Sequence, residues 1–183
     1  MKSLLRLSLF TVMLFFLNAC QEQDSKIEAV KEYKEYTAYL VRHAEKADKS
    51  KDPVLSPEGI QRAMTLNHVL SNVSLDHIHS SDYIRTRETA APVALAKGLD
   101  TELYNPKALN EIAAKLDSLG GTHLIVGHSN STPNLVELLG GERGSPIDDV
   151  GEYDRLYIIH RHKDGSVSST LMRYGSPYLT ADK

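Results

Sequence analysis

The stretch Leu40-Val41-Arg42-His43-Ala44-Glu45-Lys46 constrains what this chain can fold into more than any other. The residues leading to it, Tyr36 to Val41, are β-branched, aromatic or small, and they predict a strand. The apolar run stops at Arg42-His43, at the strand end where open α/β sheets place their ligand sites. A cation beside an imidazole at that edge suits an anionic ligand. A solvated strand end gives the same pair, so the rest of the chain must decide.

Downstream, the pattern alternates. Ala44 to Pro53 is a charged loop, and Ser56 (a cap) with Pro57 (first turn) predicts a helix whose apolar side is Ile60, Ala63, Met64 and Leu70. Asp76 to Ser81 predicts a second strand. Asp82 is a plausible cap for a helix from Tyr83 to Lys97, ended by Gly98 and kinked or split by Pro92. Asn105-Pro106 opens another helix, with Leu109, Ile112, Ala113, Leu116 and Leu119 on one stripe. His123 to Gly127 is a short apolar run bounded by turn residues, as expected of a buried central strand. Thr132 and Pro133 cap and begin a helix through Leu139, and two strands near Arg155–His162 and Val167–Arg173 are joined through Asp164-Gly165, a hairpin signal. Strands alternating with helices define a three-layer α/β/α domain with a largely parallel, mixed sheet and an antiparallel C-terminal hairpin.

Three predicted strand ends carry related residues: Arg42-His43, Arg85 a few residues beyond the second strand, and His128 after the central one. Strand ends at one edge of such a sheet converge, so two imidazoles and two guanidiniums can line one pocket. The planar Arg fork matches phosphate oxygens, and a helix start beside it adds partial positive charge. Two Arg and a protonated His can hold a phosphoryl group while a neutral His attacks phosphorus.

These segments resemble the histidine phosphatase superfamily, of phosphoglycerate mutase-like fold. Arg42-His43-Ala44 stands where that family has Arg-His-Gly, in a variant of its smaller members. Ser80-Ser81 through Arg85-Thr86-Arg87-Glu88-Thr89-Ala90 resembles its second segment, with Glu88 where Gln is common. Gly127-His128-Ser129-Asn130 matches the segment of the second His, and Leu55-Ser56-Pro57-Glu58-Gly59 matches its Leu-Thr-x-x-Gly helix start. The resemblance implies that His43 is the nucleophile that becomes phosphohistidine, and that Arg42, Arg85 and His128 bind the phosphoryl group and stabilise its transition state. Water then cleaves the intermediate, so no metal and no cofactor is implied. The proton donor of the mutase-like branch is a Glu between the second Arg and the second His, to which Glu111 in Leu109-Asn110-Glu111 is the nearest match. Glu111 also fits the solvated side of a plain helix. Glu45, Asp148, Asp149 and Glu152 are outside candidates, and Ser129 stands where the other branch has an Asp. Lys46, Ser129 and Asn130 are further candidates for substrate binding, with Arg87 at the rim.

His77-x-His79 and His160-x-His162 each put two imidazoles on one strand face. No third ligand is evident beside either pair, and exposed or hydrogen-bonded strand histidines explain them more simply.

Composition narrows the setting. The chain has 183 residues, 41% hydrophobic and 25% charged, with a formal charge of −3, which suits one globular domain and does not argue for a nucleic-acid partner. Lys2, Arg6 and the apolar run Leu7–Leu17, too short to span a bilayer, precede Leu17-Asn18-Ala19-Cys20. This resembles a bacterial lipoprotein signal over residues 1–19, with Cys20 as the acylated residue, although an ordinary signal peptide has the same outline. Residues 20–35 form a polar tether and 36–183 the histidine phosphatase domain. Cys20 is the only cysteine, so neither a disulfide nor a catalytic thiol is available. Gln21 after it favours the outer membrane of a cell envelope over inner-membrane retention.

The expected activity is therefore hydrolysis of a phosphomonoester or phosphohistidine, on a small molecule or a protein, by a lipid-anchored enzyme. The alternative is a non-catalytic lipoprotein that binds phosphate or a sugar phosphate. Mutase activity is disfavoured because the gaps between motifs leave no room for a lid. A metal-dependent hydrolase built on the H-x-H pairs would lose activity in chelator.

Overall fold

The structure, a computed structural model, describes residues 33–179. The expected lipoprotein signal, Cys20 and most of the expected tether lie outside the described residues. The tether's last residues are in view and already belong to the domain: Tyr33 N donates to Lys163 O (3.0 Å), and Gly121 N donates to Glu35 O (3.1 Å).

Among the described residues, six strands and four helices follow in the order β1 (Tyr36–Arg42), α1 (Pro57–Val69), β2 (His77–Ser81), α2 (Ile84–Lys97), β3 (Thr101–Tyr104), α3 (Leu109–Leu119), β4 (Gly121–Gly127), α4 (Ser131–Leu138), β5 (Arg155–Arg161) and β6 (Val167–Arg173). They form one sheet in the order β3-β2-β4-β1-β5-β6. β1, β2, β3 and β4 are parallel, and β5 and β6 close the sheet antiparallel. The mixed α/β architecture matches the expectation. β3 is an addition: four residues long and at an edge, it carries too short a run to announce itself by periodicity.

Alternation along β1 sends its side chains to two cores. Ala38 and Leu40 pack with Ile112 and Leu116 of α3 and Leu135 and Val136 of α4, whereas Val41 packs with Leu66 of α1 and Ala90 and Val93 of α2. The four helices among the described residues are thus committed to the two layers that cover the sheet.

Several helix details differ from expectation. The buried stripe of α1 is Gly59, Arg62, Ala63 and Leu66 with Leu70, while Ile60 and Met64 are about half exposed (52% and 51%) beside Pro92 and Leu95. Gly59 is needed because a Cβ there would lie 2.3 Å from Glu45 O, where α1 passes under the loop that follows His43. α2 runs through Pro92 unbroken. One lost N–H costs less than releasing Ala90 and Val93 from the core. Asp82 does not cap α2: it pairs with exposed Arg87, and Asp52 Oδ1 accepts from Ile84 N instead (2.9 Å). α3 begins at Leu109, later than Asn105-Pro106, which form a turn closed by Ala108 N on Asn105 O (3.0 Å). α4 is capped by Asn130, whose Oδ1 accepts from Ser131 N (2.8 Å), leaving Thr132 Oγ1 to donate to Val41 O (3.3 Å).

Candidate active site

The C-terminal ends of β1, β2 and β4 meet at a cleft of about 510 Å³. His43, Lys46, Arg85, His128, Ser129 and Asn130 all line it, joined by Tyr83, Pro106, Lys107, Ser131 and Asp149. The register explains the convergence: Arg42 of β1 lies opposite Gly127 of β4, so His43 and His128 leave adjacent strands at one level, and His43 N donates to Gly127 O (2.8 Å). Their ring centroids are 5.5 Å apart.

His43 is 3% exposed. Its Nδ1 lies 2.8 Å from Ala44 O, and a carbonyl can only accept, so the proton sits on Nδ1 and the lone pair on Nε2. Burial, aided by the charges of Arg42, His128 and Arg85, pushes its pKa down to about 3 despite the Ala44 bond. His43 is therefore a neutral imidazole at neutral pH, in the tautomer a nucleophile needs. The following residue is pinned as well, since Ala44 N donates to Thr89 Oγ1 (2.9 Å).

His128 is held from both sides. Arg85 Nη2 faces its Nδ1 at 3.4 Å, and Ser81 Oγ lies 2.8 Å from its Nε2. A guanidinium only donates, so neutral His128 carries its proton on Nε2 and gives it to Ser81. Burial and the neighbouring Arg85 and Arg42 lower its pKa to about 4. Arg85 also pairs with Asp52 (3.2 Å) and lies over the Tyr83 ring, 4.4 Å from its centroid.

Arg42 takes a different place from the one its strand-end position suggests. It is 1% exposed and is not among the residues lining the cleft. Its Nη1 donates to Asp148 O and Glu152 O (both 2.9 Å), and its Nη2 to Asp149 O (2.7 Å) and Asp149 Oδ1 (2.9 Å). Its guanidinium lies 4.0 Å from the Tyr153 ring centroid. What remains is Nε, buried and without a hydrogen-bond partner among the described residues, as is Nε of Arg85.

Among the lining residues Asp149 is the only carboxylate. It accepts from Ser129 Oγ (2.6 Å), and that bond together with Arg42 and Lys46 lowers its pKa against the effect of burial. The other acids are spent elsewhere. Glu111 is exposed in the first turn of α3, outside the cleft, because the buried stripe of that helix runs through Ile112 and Leu116. Glu45 is paired with Arg62 (2.8 Å), Glu152 is buried against Arg155 (2.6 Å), and Asp148 accepts from Tyr178 Oη (2.8 Å). Tyr83, Lys107 and Ser131 were not singled out from sequence. Tyr83 lies inside the segment that carries Arg85, whereas Lys107 sits in an irregular connection with no signal. Arg87 points away, to Asp82.

Comparison with known proteins agrees with this picture. The fold is phosphoglycerate mutase-like: phosphoglycerate mutase from Bacillus anthracis superposes with a TM-score of 0.63 at 16% identity, covering 78% of this chain and 94% of that one. The protein histidine phosphatase SixA in complex with tungstate gives 0.60 at 17% identity, over 75% of this chain and 96% of SixA. A mycobacterial glucosyl-3-phosphoglycerate phosphatase gives 0.57 at 14% identity, over 79% and 100%. Residues 38–123 match the model of the histidine phosphatase superfamily (branch 1). No curated protein sequence matches it significantly.

Proposed function

We propose that the protein is a metal-independent phosphatase that hydrolyses phosphomonoesters through a phosphohistidine on His43. The observation that carries this reading is the His43–Ala44 O contact, which leaves an uncharged Nε2 lone pair at a cationic cleft. SixA and the mycobacterial glucosyl-3-phosphoglycerate phosphatase, which share the fold, are by name phosphatases, and this supports a phosphorylated substrate.

In the first step Nε2 attacks phosphorus and the bond to the ester oxygen breaks. Arg85 holds the phosphoryl oxygens and Arg42 adds its charge from behind the cleft, while the arriving dianion raises the pKa of His128 so that its protonated ring can donate as well. The start of α4 adds the partial charge of its first amides beside Asn130 and Ser131. In the second step water attacks phosphorus, the P–N bond breaks and His43 is restored. Asp149, the carboxylate at the cleft, serves as proton donor to the leaving alkoxide and then as acceptor from water. It is ionised in the free site, and the substrate dianion arriving beside it raises its pKa by like-charge repulsion. The enzyme works in the cell envelope, anchored through acylated Cys20 by a tether that ends before Tyr33.

The test is hydrolysis of p-nitrophenyl phosphate by the purified chain in excess chelator. Turnover that persists is expected. Phosphate binding without turnover would replace the enzyme with a binding protein, and turnover lost to chelator would replace it with a metal-dependent hydrolase.

Asp149→Asn sorts the proton-transfer role by leaving group. An alkyl phosphate, whose alkoxide needs a proton, should lose about 10²-fold in kcat, while p-nitrophenyl phosphate should change less than about threefold. Equal losses on both would mean that Asp149 acts only by holding Ser129 and Arg42.

A further inference from the structure

At the opposite end of β1 from His43, the fold supplies what the His160-x-His162 pair lacked in the sequence: a third donor. Glu35, His160 and His162 each offer one ligand atom, and the three atoms lie within 4.8 Å of one another. We propose that these three side chains form a binding site for one divalent transition-metal ion of the zinc class.

His160 and His162 share a face of the β5 end, with ring centroids 4.3 Å apart. Strand pairing sets Thr37 opposite His160, and Thr37 Oγ1 lies 2.9 Å from His160 Nδ1. That contact occupies one ring nitrogen and aims the other, Nε2, at Glu35 Oε1, 3.2 Å away. An outer hydrogen bond that fixes the ring while the far nitrogen faces a carboxylate is the support a ligating histidine uses. Glu35 does not have to be recruited, because its carbonyl is already held by Gly121 N and Tyr33 N is held by Lys163 O.

Two imidazoles and one carboxylate select the ion. Magnesium and calcium prefer all-oxygen sets, whereas zinc and its neighbours take mixed nitrogen and oxygen at about 2.0–2.2 Å and accept three protein ligands with water in the fourth place. In a tetrahedral site of that size the donor atoms stand about 3.4 Å apart. Rotation of the Glu35 side chain, which is 47% exposed, closes the remaining gap around the ring that Thr37 holds. The same exposure gives the ion its way in. The second pair, His77-x-His79, offers no such site: His79 Nε2 and His123 Nδ1 are bonded to each other (3.1 Å), and His123 Nε2 is bonded to Gly120 O (2.8 Å).

The site stands about 23 Å from the nucleophile, seven residues of strand at about 3.3 Å each. Metal there ties the segment entering β1 to the end of β5 without touching the reaction, so its loss and the loss of phosphatase activity are separate events. A Glu35–His160 ion pair without metal is the competing explanation, and it predicts no zinc selectivity.

The experiment titrates Zn²⁺ into the untagged full chain against a chromophoric chelator at neutral pH. The expected result is one site per chain with micromolar or tighter affinity, weakened at least about tenfold in His160→Ala and in His162→Ala and several-fold in Glu35→Gln. Saturating Zn²⁺ should raise the melting temperature of the wild type by about 5–10 °C and leave His162→Ala unmoved. His162 is at the strand end, so that variant should fold even if His160→Ala does not. Its turnover of p-nitrophenyl phosphate should equal that of the wild type. No binding at about 100 μM Zn²⁺ would overturn the proposal, as would a site unaffected by these variants or lost instead in His43→Ala.

Discussion

Replacing His43 with alanine is expected to lower turnover of p-nitrophenyl phosphate by about 10⁴-fold or more, because the covalent route disappears with its nucleophile. Direct attack by water could still use Arg85 and His128 for the phosphoryl oxygens, and that residual catalysis sets the floor. The phosphorylated intermediate should vanish in parallel. Wild-type protein quenched into base during turnover should carry a phosphoryl group that is lost in acid, as a phosphoramidate is, and the variant should carry none. Tungstate or phosphate should still bind the variant, since the oxygen-binding groups remain. Activity above about one tenth of wild type, or an acid-labile phosphoprotein in the variant, would remove His43 from the nucleophile's place.

The second large effect is on stability, and it comes from buried imidazoles. His77, His79 and His123 stack across neighbouring strands at centroid distances of 4.9–6.0 Å, and His79 and His123 are 1% and 0% exposed. Burial, with the adjacent His123, lowers the pKa of His79 to about 4, and burial also lowers that of His123. His43 and His128 behave alike, at about 3 and about 4. Each folded value lies below the unfolded one of about 6.5, so as pH falls through 6.5 the unfolded chain takes up protons that the folded chain refuses. The stability these groups leave intact at neutral pH is therefore lost progressively between pH 6.5 and about 4. For His79 alone the loss amounts to roughly 3 kcal/mol by the lower end. Carboxylates with lowered pKa values, such as Asp149 and Glu152, act in the same direction but below this window. Urea unfolding at pH 7.5, 6.0 and 5.0 should show a steadily falling midpoint, and His79→Gln should reduce the slope by close to one proton. A midpoint constant from pH 7.5 to 5.0, or an unchanged slope in the variant, would contradict this.

The parts of the site that could be read from the sequence are those carried on regular elements. Arg42-His43 and His128 end apolar runs, and Arg85 opens a helix after a strand. The period of each run fixes which end meets the sheet edge. What could not be read comes from irregular segments or from pairing across strands. Asp149 is one of several outside candidates by sequence, and only the connection between α4 and β5, which has no period at all, brings it to the cleft, as the turn before α3 brings Lys107. Glu111 fitted a spacing pattern, but the register of α3 turns it to solvent. Glu35 meets His160 only because β1 and β5 are antiparallel neighbours, a relation no local window contains.

The clasp on Arg42 has a consequence for how this site can change over time. Three of its four acceptor atoms are main-chain carbonyls, those of Asp148, Asp149 and Glu152. A carbonyl is supplied by every amino acid, so the path of the loop is held while much of its spelling is free. Drift at position 148 leaves that grip on the arginine intact, and Asp149 can vary at the cost of one bond to its side chain. Distant relatives can thus share the clasp while sharing no letters there, and only superposed backbones will reveal it.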